Sequence, residues 1–376
     1  MKKITVLGAG RVGSAIAIDL SENFDVTSVD FNKENLKILT DKNIKTILAN
    51  LSQKSEIDRV VKDADIVVSA VPGFMGFKTL KSVIENGKDV VDIAFFPENP
   101  FELENLAVLN KVTAVVDAGV APGMGNIILG HHHSRMDVEK YECLVGGLPV
   151  IRTWPYEYKA VFSPIDVIEE YIRPARYVEN GKLIVREALS DAELVEFKEI
   201  GTLESWNSDG LRTLINTMSD IPNMIEKTMR YPGTINYIKA LRETGFFSYD
   251  FVDVDGVKIR PIDLTSKLLF PLWKLKEGEE DFTIMRIRIS GTENGQDVEY
   301  QYDLFDKYDS KTDTISMART TGYTCTSVVQ LIADGKFNKK GICPPEYVAH
   351  DNHNLALIFG YQRERGVEYV VNKKFL

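Results

Sequence analysis

A glycine-rich turn between a short apolar run and an amphipathic stretch opens the chain and most restricts what it can fold into. Ile4-Thr5-Val6-Leu7 reads as a buried parallel strand. Gly8-Ala9-Gly10-Arg11-Val12-Gly13 follows at once, and residues 12–20 have helical spacing. The pattern is G-x-G-x-x-G set between a strand and a helix, and in that setting each glycine has a task. Gly8 makes the tight turn, Gly10 lets the backbone approach a pyrophosphate, and Gly13 seats the helix on the strand. The helix start adds N–H groups and the positive end of a dipole, with Arg11 and Val12 beside it. A second strand over residues 25–29 ends in Asp30. A carboxylate about twenty residues past the glycines would hold a ribose 2′-hydroxyl and repel a 2′-phosphate. The expected cofactor is therefore NAD rather than NADP.

At 376 residues the chain exceeds one compact core and predicts two domains. Strand and helix signals alternate up to about residue 125, with strands over 44–48, 64–71, 90–94 and 112–116 and helices over 33–40, 53–62 and 78–85. Such alternation implies an α/β Rossmann domain, a doubly wound parallel sheet with right-handed crossovers. Ligands in that architecture lie beyond the carboxyl ends of strands. The glycine turn, residues 69–73 with Val71 and Pro72, and residues 117–123 should therefore face the cofactor.

Beyond residue 126 the pattern reads as a second α+β domain with an antiparallel sheet. Strands are expected over 139–145, 182–188, 282–289 and 298–304, the last two joined by Gly291-Thr292-Glu293-Asn294-Gly295. Helices are expected over 164–171, 221–229, 263–274, 327–333 and 354–361. The domain layout expected is 1–125 for dinucleotide binding and 126–339 for substrate binding and oligomerisation. Residues 340–376 are expected to pack back on the first domain.

Composition narrows the class of partner. A net charge of −10 argues against nucleic acid and anionic membranes. No apolar run reaches the roughly 18 residues of a membrane span, and the start goes directly into a strand with no signal-peptide layout. Cys143, Cys325 and Cys343 are few and widely spaced, which suggests reduced thiols and a cytoplasmic protein. No metal is expected. His131, His132 and His133 are adjacent, and neighbouring helical side chains fan about 100° apart instead of converging; a partly exposed helix start is the expected setting. His350 and His353 read as surface or interdomain groups.

Further segments bear a family likeness. These are Asp117-Ala118-Gly119-Val120-Ala121-Pro122-Gly123, Gly146-Gly147-Leu148-Pro149, Tyr158-Lys159, Phe162-Ser163 and Glu170-Tyr171. Asp209-Gly210-Leu211-Arg212-Thr213-Leu214 and Lys227-Thr228-Met229-Arg230-Tyr231-Pro232-Gly233 follow. Thr320-Thr321-Gly322-Tyr323 and Gly341-Ile342-Cys343-Pro344-Pro345-Glu346 complete the set. In this order and spacing the chain resembles the saccharopine dehydrogenase family, and within it the lysine 6-dehydrogenases. Met124-Gly125-Asn126 departs from the Leu-Ser-Asn expected after Ala-Pro-Gly. The resemblance implies NAD-dependent oxidation at C6 of L-lysine, giving an aminoadipate semialdehyde that cyclises to a piperideine carboxylate, with ammonia released. It also implies a homodimer or higher homo-oligomer built through the second domain.

That chemistry sets the residue requirements. A protonated amine cannot give up hydride readily, so an ammonium of ordinary pKa near 10.4 must lose a proton first. Asp117 and Lys159 are the candidate bases; capping of the turn and a solvated surface lysine are their structural alternatives. An α-carboxylate needs a bidentate donor, for which arginine suits best. Arg230 is the first choice and Arg212 the second, beside Tyr231 and Thr213, against an ion pair to Glu226 or Asp209. Glu170 would hold an α-ammonium or serve the structure, and Thr321 and Tyr323 would offer hydroxyls at a helix start. Two other activities fit the same hydride geometry or the same cofactor: a reductase joining an amino acid or polyamine to an aldehyde through an imine, and a dinucleotide-binding protein without turnover.

Overall fold

The computed structural model describes residues 1–276 and 278–376. Two compact units make up the chain, Met1–Arg135 with Ala318–Glu368, and Met136–Met317 with Tyr369–Leu376. The first boundary thus falls ten residues later than the spacing predicts, at 135/136. The return to the first unit begins at residue 318 instead of 340, and the last residues belong to the second unit.

The first unit alternates β1 (Lys3–Leu7), α1 (Arg11–Ser21), β2 (Asp25–Asp30), α2 (Lys33–Thr40), β3 (Lys45–Leu48), α3 (Lys54–Val61), β4 (Ile66–Ser69), α4 (Gly73–Glu85), β5 (Asp89–Asp92), α5 (Glu104–Leu109), β6 (Thr113–Val115) and α6 (Met124–His133). The second contains β7 (Asp137–Pro149), α7 (Pro164–Ile172), β8 (Ala175–Glu179), β9 (Lys182–Arg186), β10 (Glu193–Phe197), β11 (Gly201–Asn207), α8 (Leu214–Thr217), β12 (Asn223–Arg230) and α9 (Thr234–Glu243). It continues through β13 (Val252–Val254), β14 (Val257–Ile259), α10 (Pro261–Trp273), β15 (Asp281–Glu293) and β16 (Gln296–Lys307). Then come α11 (Ser316–Ala333), β17 (Gly341–Cys343), α12 (Asn352–Glu364) and β18 (Tyr369–Phe375).

The first sheet has the order β17-β6-β5-β4-β1-β2-β3, every pairing parallel. This is the doubly wound arrangement, with its strand order reversing between β1 and β4. β1 and β4 are buried from Ile4 and Ile66 onward, as apolar strands covered on both faces should be. α4 starts directly after Pro72, earlier than the expected residue 78. Gly76 permits this close seat, since a Cβ there would stand 2.7 Å from the Ala94 Cβ and the Phe96 ring.

The second sheet runs β10-β11-β12-β7-β15-β16-β18, with β8 and β9 off that path. It is mixed and not purely antiparallel, because β12 pairs β7 in parallel. The long β15–β16 hairpin turns at Asn294-Gly295, both at positive φ (52° and 78°), as a type I′ turn requires.

Three expectations are corrected. The helix expected over 221–229 is instead, from Asn223 on, strand β12. Ile221, Met224, Ile225 and Met229 mimic helical spacing, but the segment lies inside the sheet between β11 and β7, where apolar residues are buried on both faces. α11 begins at Ser316, so Thr321 and Tyr323 lie within a helix and do not open one. The three histidines close α6; they do not start it.

Candidate active site

The first unit offers a built dinucleotide cradle at the reversal of its strand order. Gly8 leaves β1 at φ 104°, and a Cβ there would collide with the Ala70 carbonyl at the end of β4. A Cβ at Gly13 would collide with the Gly8 carbonyl, so glycine is what lets α1 sit this close to the turn. Gly10 is different: a Cβ there would meet nothing within 4 Å. Its hydrogen therefore keeps space clear at the helix start, where a phosphate would approach. α1 has no side-chain cap and no acid in its first turn, so its N–H groups and dipole suit an anion. Arg11 is exposed there and Val12 half-buried. Val71 and Pro72 follow β4, and Pro72 caps α4 without a side-chain bond.

Asp30 is the polar counterpart. It is buried at the tip of β2, where one carboxylate oxygen accepts the Ala9 N–H at 2.7 Å and the other the Asn32 N–H at 2.8 Å. Each oxygen keeps a further lone pair for a hydroxyl, whereas a phosphate dianion would meet like charge. These residues fit a nicotinamide dinucleotide.

Asp117 lies two residues past β6, buried and at φ 52°, a left-handed conformation that aspartate tolerates better than most residues. The loop it opens is folded tightly. Gly119 N–H donates to the Pro122 carbonyl, Met124 N–H to the Gly119 carbonyl, and the Asn126 side chain accepts from the Gly123 N–H while donating to Glu346. Asn126 and Glu346 are both fully buried, so the Met124-Gly125-Asn126 departure keeps the residue that locks this loop. Thr321 packs against it, its Cγ2 3.3 Å from where a Gly119 Cβ would stand. The structure thus brings Asp117's loop and Thr321 together.

In the second unit Arg230 ends β12 almost wholly buried. Its Nε donates to the Tyr171 hydroxyl at 3.3 Å, Nη1 to the Met229 carbonyl at 2.9 Å and Nη2 to Glu170 at 2.9 Å. Its guanidinium lies 4.4 Å from the Tyr158 ring centre and 5.6 Å from Trp206. The partner is thus Glu170, and neither Glu226 nor Asp209. Burial raises the Glu170 carboxyl, and the adjacent guanidinium opposes that rise. The arginine fork expected to face a substrate is turned onto an internal carboxylate inside an aromatic cluster.

Arg212 sits in the Asp209-Gly210-Leu211-Arg212 loop at φ 52°. Gly210 lets that loop lie on β12, since a Cβ would overlap the Glu226 carboxylate. Asp209 is held bidentately by Arg176 at 2.7 and 3.0 Å. Arg173, at the end of α7, has its pKa lowered first by burial and then by the positive charge of Arg212. Two guanidinium groups are therefore gathered near one another. Sequence spacing gave no sign of Arg173, since it lies 39 positions from Arg212 and outside every motif.

Lys159 and Tyr231 are tied internally. The Lys159 ammonium donates to the Leu272 carbonyl at 2.9 Å, with Glu279 at 4.0 Å. The Tyr231 hydroxyl donates to the Pro149 carbonyl at 2.9 Å.

Among the described residues no group of three or more His, Cys, Asp or Glu could hold a metal ion. Burial and the nearby Arg135 push His131 down to about 4, so the ring is neutral and accepts from that guanidinium. The three cysteines are buried and unbridged. Among the described residues no helix is long and apolar enough to cross a membrane.

Comparison with known proteins adds the following. The profile "Saccharopine dehydrogenase NADP binding domain" matches residues 4–115, and "Saccharopine dehydrogenase C-terminal domain" matches residues 119–364. Mouse mitochondrial alpha-aminoadipic semialdehyde synthase is 25% identical over 257 residues, 64% of this chain and 27% of that protein. Saccharopine dehydrogenase [NADP(+), L-glutamate-forming] of Saccharomyces cerevisiae is 26% identical over 267 residues, 66% of this chain and 59% of that protein. The chain thus spans less than two thirds of either relative. Carboxyaminopropylagmatine dehydrogenase of Synechocystis is 22% identical, covering 91% and 92% of the two chains. The crystal structure of the apo yeast saccharopine dehydrogenase superposes with a TM-score of 0.78 at 20% identity, covering both chains fully, and so shares the fold.

Proposed function

The chain belongs to the saccharopine dehydrogenase family, and from that premise we propose that it is an NAD-dependent dehydrogenase acting on the C–N bond of an amino acid. Its proposed reaction is lysine 6-dehydrogenation: hydride loss from C6 of L-lysine gives an imine, which water hydrolyses to 2-aminoadipate 6-semialdehyde and ammonia. The observation that carries the cofactor choice is the buried Asp30 carboxylate at the tip of β2, bonded to the glycine turn. A dinucleotide bound there supplies the hydride acceptor.

The protein's own side chains have three tasks. Gly8, Gly10, Arg11, Val12, Gly13, Val71 and Pro72 frame the diphosphate and Asp30 the adenosine ribose. Asp117 takes the proton from the substrate ammonium at its carboxylate, leaving a neutral amine whose carbon can release hydride. Its left-handed backbone within a locked loop is the kind of local strain found where a side chain must be aimed. Arg212 with Arg173 takes the α-carboxylate, the role first expected of Arg230, whose fork is bound to Glu170. Thr321 borders the Asp117 loop as a hydroxyl for substrate. Lys159 and Tyr231 support the second unit.

A second reading takes support from the names of two relatives, saccharopine dehydrogenase and carboxyaminopropylagmatine dehydrogenase. Here the amine joins two carbon chains and the physiological direction is reduction of an imine. One experiment separates the readings. The purified full chain is given NAD or NADP with L-lysine, other diamino acids and saccharopine in turn, and absorbance in the NADH band is followed. Turnover of lysine with NAD, rising toward alkaline pH, is expected. Turnover of saccharopine alone, or with NADP only, overturns the proposal, and nucleotide binding without turnover on any amine identifies a binding protein.

A further inference from the structure

The end of α6 gathers basic side chains on a chain that is otherwise acidic. The net charge is −10, yet His131, His133 and Arg135 leave this end beside Lys339 and His350, all within the first unit. Arg135 Nη1 donates to His131 Nε2 at 2.5 Å. The Tyr347 ring joins the other two, its centre 5.5 Å from that of His350 and 5.2 Å from the Lys339 ammonium. His133 and Lys339 both act on His350 as positive charges. His132 is buried behind them, its ring centre 5.4 Å from that of His131.

The chain sets no carboxylate among these cations. Arg135 gives its side-chain bond to His131 and Lys339 lies over the Tyr347 ring; among the described residues neither forms an ion pair. The acids of the adjoining elements are engaged elsewhere. Glu346 accepts from the Asn126 amide at 3.2 Å, Asp351 from the His353 N–H at 3.0 Å and Glu104 from the Ile342 N–H at 2.6 Å. Burial and then Arg135 push His131 down to about 4, while burial and then His133 and Lys339 lower His350. Cations at a helix C-terminus offset its dipole, but a neutral His131 does not serve that end. Arg135, Lys339 and His350 are exposed.

We propose that this cluster binds a phosphate group, free or carried on a small ester, at a site separate from the dinucleotide cradle. The donors come from three segments: the end of α6, residue 339 and residue 350. They approach from several sides and not as one planar fork, which suits a tetrahedral oxyanion better than a carboxylate. A dianion also answers several cations at once, and beside it the charged forms of His131 and His350 are favoured, so binding takes up protons. α6 has ten residues, which places its last turn about 15 Å from its start at the Asp117 loop. The segment bearing Tyr347 and His350 is held firmly along that length. Asn126 bonds Glu346 in the first turn, and a Cβ on Gly130 further along would collide with the Glu346 carbonyl. The donors therefore stand on packed backbone.

The test is titration calorimetry on the full chain at about pH 6.5, near an ordinary histidine pKa. It needs no turnover, so its outcome is independent of the reaction proposed above. Inorganic phosphate and glycerol 3-phosphate are titrated in turn, with succinate as the carboxylate control. Saturable heat that changes with the ionisation enthalpy of the buffer is expected, the mark of proton uptake. The tighter of the two phosphates identifies the carrier. Arg135→Gln combined with Lys339→Gln is expected to lower affinity roughly 10-fold or more, the worth of hydrogen bonds to charged groups, with the unfolding midpoint unchanged. Lys336→Gln, which alters another exposed lysine of the same loop, should leave affinity alone. If the double variant does not fold, His350→Gln carries the test. Absence of saturable heat from both phosphates overturns the proposal, as does succinate binding equally well. So does affinity lost in Arg11→Gln but kept in the double variant, which would put the phosphate at the start of α1.

Discussion

The Asp30 carboxylate accepts the Ala9 N–H at 2.7 Å, so the tip of β2 and the glycine turn hold one another in place. A side chain proposed to read the cofactor thereby also sets the shape of the loop beneath it. Asp30→Ala is expected to weaken NADH binding by roughly 10- to 100-fold, the range of a lost charge-assisted hydrogen bond. NADPH binding should fall less or improve, because like charge is removed. Isothermal titration with both nucleotides measures the two effects, and equal losses would contradict the ribose assignment.

Asp117→Asn is expected to lower kcat by roughly 10²- to 10⁴-fold, the range of general acid–base catalysis, with the NADH dissociation constant within about twofold of wild type. The alkaline rise in rate should persist at the lower level, since it follows the substrate amine. Steady-state kinetics across pH with nucleotide titration gives both quantities.

Arg212→Gln is expected to raise KM for the amino acid by roughly 10-fold or more while leaving nucleotide affinity alone, as loss of a carboxylate contact does. Lys159→Met makes the contrasting prediction. Its ammonium is bonded to the Leu272 carbonyl, so the unfolding midpoint should fall while kcat stays within about 10-fold of wild type, below the range a catalytic base supplies.

Glu170→Ala would leave the Arg230 guanidinium charged and buried with half of its recognition gone. Removing one partner of such a pair costs about 3–5 kcal/mol, expected as a clearly lowered midpoint in thermal unfolding. Glu170→Gln, which keeps an acceptor, should lose less.

Asp281 gives a pH-dependent test of stability. Burial pushes its carboxyl up to about 6, while the Ser316 and Met317 N–H groups oppose the rise and Asp306 adds to it. The folded form therefore binds the proton more tightly than the unfolded chain between about pH 4 and pH 6. Stability from this group is present below that window and is lost as pH rises through it. Denaturant unfolding of Asp281→Asn at both ends of the window should show the wild type losing stability relative to the variant.

Much of the first unit was legible because its signals are local: glycines at fixed offsets, apolar strands buried on both faces, and an acid at a strand tip. The second unit was harder. β12 carries apolar residues at helical intervals, and only its place between two strands makes it a strand. The Arg230–Glu170 pair spans 60 positions, and no local rule chooses Glu170 over Glu226 or Asp209. Arg173 and Arg212 come together for the same reason, through a fold that ordering along the chain does not reveal. Thr321 reads as opening a helix, yet α11 begins at Ser316, whose N–H is taken by Asp281 from 35 residues away.

The edge strand β17 sets a condition on how this protein is made. It is drawn from residues 341–343 and lies beside β6, laid down more than two hundred residues earlier. During synthesis the nucleotide-binding half must wait with an open margin next to β6 until residues 341–343 have left the ribosome. Expression of residues 1–135 alone would leave that margin bare, and such a fragment should be prone to stick to its own kind.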